Sequence, residues 1–296
     1  MQGFTIRRVV EKAIPLRDFL MQDMGISRKM LTLVKHEGDI EVNGMHRTVR
    51  HELEPGDEVV VQFPLEAPSL DMVASDRPIR ILYEDDTLLA VDKPAGIATI
   101  PSRLHPIDTL ANAVLGYYQR IGLSSAIHVI NRLDRDTSGV VLFAKYGFIH
   151  HRFSELQKAN GLMRTYKALV EEEVTPQTID APIGRAENSI MERVVTTEGQ
   201  RAITHILACQ PFGSGSLLTI RLETGRTHQI RVHLRHIGHP LIGDSMYGGA
   251  ARMPRHALHS ASARFIHPMT GDEIQIEAPI PEDFRTYKER GWDITQ

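Results

Sequence analysis

A single cysteine, Cys209, stands in the 296 residues, so no disulfide can close within the chain. That excludes a disulfide-stapled scaffold and fits a reducing compartment, so the cytoplasm is the expected location. Cys209 lies in the apolar run Ile206-Leu207-Ala208-Cys209, where a buried structural thiol is expected rather than a nucleophile. No apolar run is long enough to span a bilayer, so no membrane partner is expected. The first residues, MQGFTIRRVVEKAIPL, lack the apolar core of a secretory signal. Strong net charge is missing too: 34 Lys and Arg face 37 Asp and Glu, a net of −3, which by itself marks no polyanionic partner. Internal repeats and low-complexity tracts are absent. What is there is ordinary for a globular protein: 42% apolar and 24% charged residues, in a length suited to one large or two modest domains.

The charge is unevenly spread. From Gly225 to Pro240 there is no acid, but there are Arg226, Arg231, Arg235 and four histidines. From Ala251 to Pro268 there is again no acid, with Arg252, Arg255, Arg264 and three histidines. If these stretches share a face, they make a local patch for a polyanion.

Residues 15–63 read as a small module. Leu16–Met24 has helical apolar spacing, with Gly25 as a stop. Ser27 is placed to cap a helix over Arg28–His36, closed by Gly38. A strand over Asp39–Val42, the turn Asn43-Gly44 and a strand over Arg47–Arg50 follow, then a Pro55-Gly56-Asp57 turn into Glu58–Phe63. Pro64–Arg77 lacks periodicity and reads as a flexible linker, which sets domains at 1–70 and 78–296.

In the second domain, Ile79–Tyr83 and Leu88–Val91 form an expected hairpin, broken at Asp92-Lys93. A helix is expected over Thr109–Ile121 with Asp108 as its cap, and another over Phe148–Ala159. Strands are expected over His128–Ile130, Val140–Ala144, Arg164–Val170, Arg201–Gln210, Leu217–Glu223 and Ile274–Glu277. Arg226–Ile237 fits a helix with one wet, cationic side, and Gly225 would free its N-terminus to meet phosphate; Pro281–Arg290 is a terminal helix. Hairpins outnumber βαβ units, so the expected class is α+β with a mostly antiparallel central sheet and a small N-terminal α/β domain.

The centre of this organisation is Arg132-Leu133-Asp134-Arg135-Asp136-Thr137-Ser138-Gly139, a polar loop between two short apolar runs. A loop held by buried strands is a frequent place for chemistry; the competing expectation is a solvated hairpin whose charges pair among themselves. A carboxylate beside a guanidinium is held ionised, its pKa lowered by about 1–3 units, which suits a nucleophile or base. Asp134, nearer the strand end, is the favoured reactive group. Asp136, Thr137 and Ser138 are expected to hold the loop through side-chain-to-backbone bonds. Arg226 and Arg231 are candidates to pair with Asp134 or to clasp a phosphate. His228, His233, His236 and His239 raise a metal-dependent hydrolase as an alternative, but no complete ligand motif accompanies them.

The block RLDRDTSG, with DKPAG upstream, RTYKALV after it and TGRTHQIRVHLRHIGHPLIGD later, resembles the RluA family of RNA pseudouridine synthases. These motifs occur in the family's order across Ile79–Gln296. The two helices, Asn-Gly turn and Pro-Gly-Asp turn in front resemble the alpha-L RNA-binding module of a small-subunit ribosomal protein. The resemblances imply a pseudouridine synthase fold that isomerises uridine in RNA without metal or cofactor. Asp134 would be the catalytic aspartate, Tyr166 the active-site tyrosine that stacks on uracil, and Arg231 the arginine that pairs with the aspartate. Arg132 would fill the gap left by a flipped base, and Ile230 would line the uracil pocket. Arg226 and His228 are counted with the substrate-binding residues, as are Ser27, Arg28, Lys29, Lys35 and Asn43 of the front module. That module carries nine Lys and Arg against eleven Asp and Glu over 1–70, few for an RNA binder. Its competing role is a structural cap. The family often has His directly before Arg-Leu-Asp; here Asn131 stands there. Ribosomal RNA is the first expected substrate and transfer RNA the second, with a monomer as the default state. A non-catalytic RNA-binding assembly factor is the remaining alternative.

Overall fold

The computed structural model describes residues 3–68, 72–103 and 105–290. The N-terminal part runs β1 (Thr5–Val9), β2 (Ile14–Pro15), α1 (Leu16–Gln22), α2 (Arg28–Glu37), β3 (Asp39–Val42), β4 (Met45–His46), β5 (Glu52–Leu53) and β6 (Glu58–Gln62). Its main sheet has the order β1-β6-β3-β4. Ser27 caps α2, its Oγ accepting the Met30 N–H at 3.3 Å, and Asn43 takes the left-handed conformation expected of the Asn-Gly turn. The second hairpin strand is Met45–His46, not Arg47–Arg50; β1 had no alternating pattern to announce it.

The remainder contains β7 (Arg80–Glu84), β8 (Leu88–Lys93), α3 (Leu110–Arg120), β9 (His128–Val129), β10 (Ser138–Ala144), α4 (Gly147–Lys158) and β11 (Met163–Val170). There follow β12 (Gln177–Asp180), β13 (Ile183–Arg185), β14 (Arg193–Val195), β15 (Ile203–Phe212), β16 (Gly215–Leu222), α5 (Gln229–His236), β17 (Leu258–Ile266), β18 (Glu273–Glu277) and α6 (Glu282–Arg290). The central sheet has the order β12-β15-β16-β11-β17-β10-β8-β7, antiparallel except for the parallel contact of β10 with β17. The class is α+β, as expected. The strand at its middle, β17, was missed, as were β12 to β14. Thr109, not Asp108, caps α3, through a capping box with Asn112. Every residue of β10 is buried, which anchors the end of the polar loop.

The segment between the two parts is tied down on both sides of residues 69–71, which lie outside the described residues. Glu66 accepts bonds from His128 and, at 2.7 Å, from the Gly147 N–H. Asn112 donates to the Val73 carbonyl at 2.6 Å. Phe4 stacks on Tyr146 with centroids 4.4 Å apart, and Phe63 meets Phe148 at 5.1 Å. Each such pair contributes about 0.5–1.5 kcal/mol beyond its burial. One apolar cluster thus runs from Ile6 and Leu20 through to Ile149 and Phe265. The flexible linker expected from composition is, where described, a fastened strap.

Candidate active site

The polar loop is built from both ends. Asn131 is buried, and its amide serves β10 twice, accepting the Leu142 N–H at 2.8 Å and donating to the Val140 carbonyl at 3.2 Å. It therefore supplies a donor and an acceptor in one plane. Asn131→Ala should strand both strand groups and cost about 2–3 kcal/mol, read by denaturant melts. A loss below half a kcal/mol would refute this role. Thr99 clamps Leu133 at both its N–H and its carbonyl.

Beyond Asp134 the loop is held by side chains that sequence did not single out. The Lys93 ammonium, fully buried at the end of β8, donates to the carbonyls of Pro94, Ile97 and Arg135 at 2.8–2.9 Å. Burial pushes it down to about 7, while three acceptors occupy the three hydrogens that only its protonated form carries. Arg255 donates to the Asp136 carbonyl at 2.9 Å and to Ser138 at 3.2 Å, with Asp283 as its counter-ion at 2.6 Å. Thr137 bonds His256 at 2.8 Å, and Ser138 bonds His259 at 2.9 Å. The expected side-chain-to-backbone bonds are thus replaced by bonds to two buried imidazoles; Asp136 pairs with Arg135 at 3.1 Å.

Burial pushes both imidazoles down, His259 to about 4, with Arg231 and Arg255 acting in the same direction on His256. The native state therefore binds fewer protons than the unfolded chain between about pH 6.5 and pH 4. The stability that these two imidazoles contribute should be full above pH 6.5 and be lost toward pH 4, with His259 alone accounting for a loss on the order of 3 kcal/mol. Thermal melts across that range should flatten in His259→Gln; parallel curves for the two proteins would sink the assignment.

The second segment supplies the partners of Asp134. The helix α5 begins at Gln229, three residues later than expected, because His228 takes a left-handed conformation at φ 58°. Gly225 consequently does not open the helix. The cationic side is only partly wet: Arg235 and His236 are exposed, whereas Arg231 and His233 are buried. Arg231 donates to Asp244 through Nε at 2.7 Å and Nη2 at 2.8 Å, and to Asp134 Oδ2 through Nη1 at 3.2 Å. Burial works against its charge, and the Asp244 bonds with the Asp134 carboxylate more than offset that. His228 Nε2 lies 3.8 Å from the same Asp134 oxygen. Asp134 itself is partly open, its side chain 26% exposed.

Tyr166 lies on β11, close enough to Asp134 for the carboxylate charge to act on its hydroxyl. The pairing of β11 with β17 slips by one residue between Thr165 and Tyr166, the kind of bulge that re-aims a side chain beside a site. Its ring is buried in one apolar cluster with Leu133, Leu222 and Ile230. Burial pushes its hydroxyl up; Arg164 and Ser260 pull it back, and the Asp134 charge pushes it further up. Arg231 and His228 thus meet at Asp134, and Tyr166 and Ile230 belong to the apolar cluster that holds the neighbouring Leu133.

Other candidates lie elsewhere or are occupied. Arg132 is exposed beside Asp134. Arg226 donates to the Arg201 carbonyl at 3.0 Å and is not in contact with Asp134. On α2, Arg28, Lys29 and Lys35 are exposed. The Asn43 amide is engaged with Asp57 at 2.8 Å and with the Glu58 N–H at 2.9 Å. Three arginines of the two acid-free stretches are matched by acids from elsewhere: Arg235 by Glu192, Arg252 by Glu171 and Arg264 by Glu273. The histidines disperse as well. His233 bonds Thr204 and the Ala181 carbonyl, and His228 bonds Tyr247. Among the described residues no three potential ligands converge on one point. Cys209 is half-buried rather than sealed, its sulfur 3.4 Å from the Val174 N–H. A cavity of about 720 Å³ borders Lys93, Ser138, Arg255 and His259, behind the loop's braces rather than at Asp134.

Residues 87–236, which carry the loop, β11 and α5, match the sequence model of the RNA pseudouridylate synthase family. The chain belongs to this family. Its branch is RluA, and the chain is an RNA pseudouridine synthase, an isomerase. It is 43% identical over 265 residues to the uncharacterized RNA pseudouridine synthase YjbO of Bacillus subtilis, covering 88% of this chain and 94% of that one. It is 36% identical to the ribosomal large subunit pseudouridine synthase D of Xanthomonas campestris over 275 residues, 88% of this chain and 83% of the other. Among solved structures, human RNA pseudouridylate synthase domain containing 1 shares the fold, with a TM-score of 0.55 at 23% identity over 70% of this chain and 86% of that one. Among the described residues no helix is long and apolar enough to cross a membrane.

Proposed function

We propose that this pseudouridine synthase modifies specific uridines of large-subunit ribosomal RNA, using Asp134 and neither metal nor cofactor. The observation that carries the reading is one carboxylate braced by the buried Arg231 guanidinium, with its charge felt at the buried Tyr166 hydroxyl. In this reading the target base leaves the stack, at a cost of a few kcal/mol. Stacking on Tyr166 recovers about 1–3 kcal/mol. Asp134 acts at the ribose, as nucleophile on C1′ or base at C2′, and the N1–C1′ bond breaks. The uracil turns against Ile230, C5 bonds to C1′, the C5 proton departs and N1 regains one. The nucleoside keeps its composition, one proton being exchanged with solvent, so a closed pocket and one carboxylate suffice. Arg132 enters the space of the flipped base, and Arg226 and His228 contact the substrate.

Residues 1–70 serve as the RNA-binding unit, with Ser27, Arg28, Lys29, Lys35 and Asn43 toward RNA, and residues 78–296 as the catalytic unit. The exposed cations of α2 support this, and the engaged Asn43 amide leaves mainly its backbone for contact. The relatives named for the ribosomal large subunit favour ribosomal over transfer RNA. The protein works as a monomer in the cytoplasm. Tritium release from RNA labelled at uridine C5, measured in EDTA, tests the whole reading. Release from ribosomal RNA transcripts and not from transfer RNA is expected. Release that EDTA abolishes, or none from either RNA, would overturn it.

A further inference from the structure

Tyr247, which sequence reasoning passed over, is buried in the loop after α5, and its hydroxyl meets two groups. It accepts the Arg193 N–H at 3.0 Å and lies 2.8 Å from His228 Nδ1. A phenol has one hydrogen to give. With the backbone N–H supplying one bond, the hydroxyl hydrogen has His228 Nδ1 as its acceptor. The proton of the neutral imidazole then sits on Nε2, the nitrogen that faces Asp134 Oδ2 at 3.8 Å. The opposite tautomer would aim a lone pair at a carboxylate and leave the phenol hydrogen without an acceptor. The ring is placed at some expense, since a non-glycine residue at φ 58° is uncommon and such conformations gather at functional sites. Arg231 also stacks over the Tyr247 ring, 4.9 Å from its centroid, so both donors that face Asp134 rest on one phenol.

We infer that His228, its tautomer set by Tyr247, is a second positioning residue for Asp134, and that Arg231 and His228 together hold Oδ2 so that Oδ1 is the oxygen left free to react. The inference rests on Asp134 being the reactive group. Both donors address Oδ2, and among the described residues Oδ1 accepts no hydrogen bond. Hydrogen bonds of this kind commonly tighten when substrate is in place, which closes a 3.8 Å approach. A carboxylate held at one oxygen from two directions has its other lone pairs aimed, and aim of this kind is worth up to about a hundredfold in rate. Burial keeps the imidazole neutral, helped by Arg231 and Arg193 and opposed by Asp134 and Asp244.

Two substitutions separate this role from plain packing. In His228→Asn the amide reaches only as far as Nδ1, so it keeps the Tyr247 bond and loses the reach to Asp134. Asn also tolerates the left-handed conformation well, so backbone strain cannot explain a defect. In His228→Gln the amide nitrogen reaches the Nε2 position. With ribosomal RNA labelled at uridine C5, His228→Asn should lower kcat about 30-fold with KM within about threefold, while His228→Gln stays within about fivefold of wild type. Equal loss in both variants, or a change confined to KM, would overturn the inference. Nitrogen-15 NMR of the full chain reads the tautomer without turnover, with the His228 signals identified by their absence in His228→Asn. Wild type should show the Nε2–H form and Tyr247→Phe a mixture. An Nδ1–H imidazole in wild type would overturn the inference even if Asp134→Asn proves inactive, which would leave the function reading standing.

Discussion

Asp134→Asn should lower tritium release at least about 10³-fold while leaving the fold intact. The amide is the same size and its oxygen can still accept from Arg231 Nη1, now at 3.2 Å. What it lacks is the negative charge needed to attack C1′ or to take a proton from C2′. The side chain is 26% exposed, so its ion pair with Arg231 is partly screened and the stability change should stay below about 1 kcal/mol. Affinity for ribosomal RNA, read by filter binding, should stay within about threefold. That combination separates an enzyme from an RNA-binding assembly factor, for which Asp134 would be dispensable. Retention of more than a tenth of wild-type release would remove Asp134 from the mechanism.

Arg231→Met is expected to damage both activity and stability. Arg231 is the only cation bonded to Asp244 among the described residues, and the Asp244 side chain is 1% exposed. Removing one partner of a buried ion pair typically costs about 3–5 kcal/mol, because the other charge is left without solvent or counter-ion. For a chain of this size that corresponds to a fall in Tm of roughly 10 °C. Lysine is no substitute, since its point charge cannot make the planar fork that spans both Asp244 oxygens. The cause is testable by rescue. Arg231→Met combined with Asp244→Leu removes the orphaned carboxylate and should recover most of the stability but none of the activity. If the double variant melts at the sum of the single losses, the orphaned charge is not the source of the damage.

Several features were legible because their signals are local. Ser27, the Asn43-Gly44 turn and the apolar run after Gly139 each act within a few positions, and each stands where expected. The missed elements share a cause. In β17 the polar Ser260, Ser262 and Arg264 do alternate with Ala261, Ala263 and Phe265, but alanine carries little strand preference and makes the signal weak. Yet β17 is central because it pairs with β11 on one side and β10 on the other, a property of the sheet rather than of nine residues. The same holds for α5. Charged residues at helical spacing read as a solvated face, but Asp244, thirteen residues on, turns Arg231 inward. Lys93, Arg255, His256 and His259 were not assigned to the loop because each is far from it in sequence or separated by a turn.

The order of residues alone determined the α+β class, the family and the polar loop, since side-chain type and apolar period are short-range properties. Only the folded arrangement decided which arginine stands bare and which is spent on an acid, which histidine is a tautomer with a direction, and that the strap after residue 63 is tied down. Those outcomes depend on desolvation and on hydrogen-bond partners met through space, and no spacing along one dimension reports them.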